Sequence, residues 1–84
     1  MVNHHNKSKH FHWIESCVYE VGTTGYRVER MENTFWDAYL PDAWGIRLWQ
    51  SCRHSTRASA AMAVSAERRR IAKAVRAATS QAEA

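Results

Sequence analysis

Arg69, Arg70, Lys73 and Arg76 form the grouping in this chain whose residue types and spacing most directly suggest chemistry. At 100° per residue, Arg69, Lys73 and Arg76 fall on one side of a helix, with Arg70 nearby. A cationic strip about two turns long is the kind of surface that tracks phosphates. Upstream, Arg47, Trp49 and Tyr39 add a guanidinium and two rings, and rings beside arginine on an open sheet are what single-stranded bases stack on. The sequence therefore predicts a small basic nucleic-acid-binding accessory protein that contacts DNA or RNA through these seven residues. The acids in the upstream segment weigh against the stacking contribution, because carboxylates beside a phosphate track repel it.

A second reading needs no signature residues. Exposed tryptophan, tyrosine and arginine also anchor protein interfaces. Small single-domain chains of this size and character are what phages and plasmids use to block host nucleic-acid enzymes. The alternative is thus an inhibitor or adaptor that binds a host protein complex, such as a nucleic-acid-processing defence complex. A third candidate is a metal site. His10 and His12, like Cys52 and His54, are two apart and would share a strand face. Were the first and last strands neighbours, these four would make a tetrahedral zinc site, although the spacing is unlike the usual C-x₂-C or H-x₃-H pairs. The simpler expectation is solvated histidines, no metal and no cofactor. Covalent catalysis needs a nucleophile held by an oriented base. Nothing around Cys17 or Cys52 suggests an oxyanion hole, and no enzyme is expected.

Composition narrows the class. Eighty-four residues suffice for one domain with a modest core. The formal charge of +4 is uneven, with six basic against six acidic residues over 1–54 and six against two over 55–84. The whole excess therefore sits in the last third. No run of about eighteen apolar residues occurs, so no membrane span is expected. Two cysteines are too few for a disulfide scaffold and point to reduced thiols in the cytoplasm, a single Cys17–Cys52 bridge being conceivable only in an oxidising compartment.

The elements that must position these residues follow from patterning. Residues 1–9 read as a flexible polar leader and 10–84 as one domain. Phe11 to Val21 is rich in aromatic and β-branched residues, and Tyr26 to Met31 resumes the alternation after Gly22-Thr23-Thr24-Gly25, which predicts a hairpin. Phe35 to Leu40 reads as a third strand, with one capped helical turn as its alternative. After a turn at Pro41-Asp42, Trp44 to Gln50 reads as a fourth strand, with Trp44, Ile46 and Leu48 on one face and Arg47 and Trp49 on the other. From Ser55 or Thr56, a plausible N-cap, alanine and arginine dominate without interruption by glycine or proline, which predicts one long helix. Its apolar stripe is Ala60, Ala61, Val64, Ile71, Val75 and Ala78, interrupted by Arg68, which would pass the sheet edge or meet an acid such as Glu29. Thr79 to Ala84 is expected to fray. The predicted fold is α+β, a three- or four-stranded antiparallel meander packed on one face by the helix. A free strand edge and an alanine-rich helix both permit a homodimer.

Overall fold

The computed structural model describes residues 10–83, with side chains as far as Gln81. The leader expected over residues 1–9 lies outside the described residues. Five strands, β1 (Phe11–Glu15), β2 (Val18–Val21), β3 (Arg27–Arg30), β4 (Trp36–Pro41) and β5 (Arg47–His54), form an antiparallel sheet in the order of the chain. One helix, α1 (Arg57–Glu83), follows. The α+β class and the C-terminal helix are as the sequence predicts.

The fifth strand arises because Phe11 to Val21 is two strands rather than one. Ser16 and Cys17 turn the chain back, with Cys17 at φ 64°. β1 then pairs with β2, Phe11 opposite Val21 and Trp13 opposite Tyr19. The β2–β3 hairpin forms where the glycines place it. Gly22 (φ 58°) and Gly25 (φ 83°) supply the left-handed backbone, and the Thr24 hydroxyl donates to the Val21 carbonyl and accepts from the Tyr26 amide. Phe35 to Leu40 is strand, as favoured above, and the helical turn does not form.

Register sorts the side chains onto two faces. Trp13, Tyr19, Val28, Ala38 and Ser51 make one cross-strand row toward the helix, with Trp36 and the Leu40–Trp49 pair on the same side. Val28, Ala38, Ala60 and Val64 are fully buried at the centre of this core. Two alanines there let helix and sheet approach closely. Tyr26 and Trp49 close one end of the core edge to face, with centroids 5.6 Å apart.

Thr56 is the N-cap, its hydroxyl accepting from the Ser59 amide at 3.0 Å. No acid occupies the first turn to complement the dipole. Arg57, a charge of the unfavourable sign at a helix N-terminus, lies instead over the Phe11 ring (4.2 Å) and the Tyr19 ring (4.7 Å). That contact anchors the first turn to β1 and β2. The helix stays regular through Glu83 rather than fraying from Thr79.

Twenty-seven residues span about 40 Å of helix, whereas the six residues of β4 span only about 20 Å. The helix therefore outruns the sheet. Residues 68–81 are all exposed, and the molecule measures 56 × 31 × 26 Å. Ile71 and Val75 continue the stripe of Ala60 and Val64 but lie beyond the sheet, 40% and 58% exposed.

Candidate nucleic-acid interface

The projecting half of α1 carries the cations. With Ala60 and Val64 facing the sheet, helical geometry turns Arg69, Lys73 and Arg76 to the opposite side. All three are exposed, and none has an ion pair among the described residues. Arg70 differs. Its Nε and Nη2 both donate to Glu67, at 2.9 Å each. That fork holds the Glu67 carboxyl below its ordinary pKa range and raises the already high Arg70 value. Arg68 is exposed and does not reach Glu29, which Arg47 occupies.

The three sheet residues of the expected contact set are not brought together. Tyr39 and Arg47 share the face away from the helix, the Arg47 guanidinium 3.9 Å from the Tyr39 ring centre. Trp49 points the other way, into the helix-facing core. Simple alternation would put Arg47 and Trp49 on one face, but the register does not alternate there. Leu40 pairs with Trp49 while Pro41 pairs with Arg47, so Leu48 is an extra residue in a bulge that reverses the parity.

The open face is a balanced ionic surface. Glu20, Arg27, Tyr39 and Gln50 form one row, and Glu29 faces Asp37 in the next. Arg47 ties the rows together, donating to Glu29 Oε1 at 3.1 Å and lying 3.7 Å from Asp37 Oδ2. Asp37 is buried and also accepts from the Arg53 amide, whose residue sits at φ 66° in a second bulge of β5. Burial, then the Glu29 charge, raises the Tyr39 pKa, against the opposing pull of Arg47 and Arg27. Tyr39 is only 7% exposed. A ring so enclosed beneath a guanidinium offers a nucleobase no face to stack on.

The zinc geometry fails on topology. β1 and β5 are opposite edges of the sheet, so His10 and His12 lie three intervening strands from Cys52 and His54. No group of three or more metal-ligating residues occurs among the described residues. Cys17 and Cys52 are free thiols. Desolvation first, then the charge of Asp37 and a hydrogen bond to it, raise the Cys52 pKa, which disfavours the nucleophilic thiolate.

Sequence reasoning missed one polar pair. Ser51 Oγ lies 2.8 Å from His54 Nε2, partly buried, because the Arg53 bulge folds these residues of β5 toward each other. A hydroxyl–imidazole contact is the first half of a nucleophile–base arrangement. Among the described residues no acid holds the other ring nitrogen, and Ser51 faces the core row beside Ala38. It is best read as an internal hydrogen bond.

No protein-family profile matches the chain, and neither does any curated protein or solved structure.

Proposed function

We propose that the protein binds nucleic acid along the backbone, using the projecting half of α1. The observation that carries this reading is the strip of Arg69, Lys73 and Arg76, turned away from the sheet and without an ion pair among the described residues, on a helix standing clear of its own domain. A projecting helix fits the major groove of a duplex, which is about 12 Å wide. Arg69 and Arg76 stand about 10 Å apart along the axis, enough to meet successive phosphates. Arg68 lies beside the apolar stripe and is not part of the strip, and Arg70 joins it only when Glu67 releases the fork. Arg47 and Tyr39 belong to the ionic face and Trp49 to the core, so single-strand stacking has little support. A duplex is the favoured ligand, held without base-specific contacts.

The test is fluorescence anisotropy of labelled duplex and single-stranded oligonucleotides at low salt. Duplex binding that disappears in Arg69→Ala/Lys73→Ala/Arg76→Ala supports the reading. Equal affinity of that variant and the wild type would refute it.

A protein ligand is the second reading. An open groove of about 280 Å³ runs between β1 and α1, lined by Phe11, Val21, Ala61 and Met62. With Trp13 and Met62 exposed beside it, this groove would take an apolar side chain of a partner. Capture of a partner that survives nuclease treatment and is lost in Met62→Glu would favour this reading.

A further inference from the structure

We infer that the projecting half of α1 pairs antiparallel with the same segment of a second copy, through Ile71, Ala74, Val75 and Ala78. These residues extend the line that Ala60 and Val64 bury against the sheet, but here no sheet lies opposite. The inference is independent of nucleic-acid binding, because the cationic strip occupies the other side of the helix.

Self-complementarity favours a second copy over any other occupant. A two-fold interface must fit itself. About an axis between Ala74 and Val75, Ile71 meets the second copy's Ala78, and Val75 meets its Ala74. Each large side chain then faces a small one, which allows close approach of the axes. The flanks agree. Arg68 meets Thr79 of the second copy, while Arg70 meets its Ala77 and Gln81, so no like charges oppose. A parallel pair would instead set Arg68 against Arg70. Arg69, Lys73 and Arg76 stay on the outer surfaces.

The sheet contributes the rest of the surface. The β4–β5 turn lies just past the Leu40–Trp49 pair, and Trp49 packs on Tyr26, at the end of the sheet where Arg70 passes and the helix leaves. There the Asp42 carboxylate accepts from the Trp44 and Ile46 amides, fixing a turn that presents Trp44 at 86% exposure. Ile46 and Leu48 are exposed beside it. In the antiparallel arrangement the second copy's helix end arrives at this turn. Covering Trp44, Ile46, Leu48, Ile71 and Val75 would remove on the order of 600 Å² per copy, close to the ~800 Å² of a standard interface once the alanines and arginine stems are added.

Sedimentation equilibrium over a range of concentrations tests this on the full chain. The expected result is a dimer of the 9.7 kDa chain that dissociates on dilution. Val75→Glu should be monomeric throughout, and Trp44→Ser should weaken association at least about tenfold. Both sites are exposed, so an unchanged far-ultraviolet circular dichroism spectrum would show that the domain still folds. In a Cys17→Ser/Cys52→Ser background, Ile71→Cys/Ala78→Cys should oxidise to a covalent dimer, while Ile71→Cys alone should not. A wild-type chain monomeric up to roughly 1 mM overturns the inference. So does a dimer that survives Val75→Glu or cross-links through Ile71→Cys alone.

Discussion

Replacing Arg47 by alanine tests the ionic face at its centre. Four contacts disappear together: the hydrogen-bonded pair with Glu29, the charge beside Asp37, the guanidinium over Tyr39, and a long, exposed hydrogen bond to Gln50 Oε1 at 3.4 Å that adds little. The Glu29 pair is partly solvated, both side chains being 31% exposed, and contributes about 0.5 kcal/mol. The ring contact contributes a similar amount. Asp37 is the larger effect, because its carboxylate stays buried with uncharged partners, the Arg53 amide and the Cys52 thiol. A buried charge that loses its partner costs up to about 3–5 kcal/mol, and the 3.7 Å separation and partial access of water reduce that to about 1 kcal/mol here. The total is about 2 kcal/mol, which lowers Tm by about 10 °C in a domain of this size. Guanidinium unfolding followed by tryptophan fluorescence measures it. Asp37→Asn added to Arg47→Ala should recover about half of the loss, since a neutral amide needs no counter-ion. Spectrophotometric titration provides a second readout, because Arg47 opposes the burial that raises the Tyr39 pKa. Its removal should move that pKa further up. A loss below about 0.5 kcal/mol, or a Tyr39 midpoint that stays still or falls, would refute this account of the open face.

Other outcomes follow from the same contacts. Thr56→Ala removes the hydroxyl that caps α1 and should cost about 1 kcal/mol in denaturant unfolding. Val64→Ala opens a cavity at the fully buried centre of the core and should cost about 2 kcal/mol by the same assay. The Tyr39 pKa is raised in the folded state, so its contribution to stability is complete below pH ~10 and is lost as pH rises through the folded value. Stability measured across alkaline pH should fall there in the wild type, and that component should be absent in Tyr39→Phe. Glu67→Gln releases Arg70 from its fork and should strengthen duplex binding severalfold at low salt, as measured by anisotropy.

The long helix was legible because alanine and arginine reinforce each other as helix formers over an uninterrupted run. The β2–β3 hairpin was legible because two glycines bracket its turn. What escaped depended on backbone conformations that residue type does not announce. Cys17 turns β1 into β2 at positive φ, although cysteine carries no turn preference, and one apparent strand became two. The bulges at Leu48 and Arg53 reversed side-chain parity along β5. The first parted Trp49 from Arg47, and the second brought Ser51 to His54. The cations of the site were readable from spacing alone. Their freedom was not, because the Arg70–Glu67 fork depends on rotamers and the overhang of α1 depends on the length of strands it packs against.

The salt dependence of duplex binding tests the central claim most directly. Three phosphate contacts, from Arg69, Lys73 and Arg76, predict that log K falls with log salt at a slope of about −2.7, roughly a 40-fold loss of affinity between 50 and 200 mM salt. Lys73→Ala should reduce the slope to about −1.8, and the triple alanine variant should bring it close to zero. A wild-type slope near zero, or one that the triple variant leaves unchanged, would contradict the assignment of the projecting helix to nucleic acid.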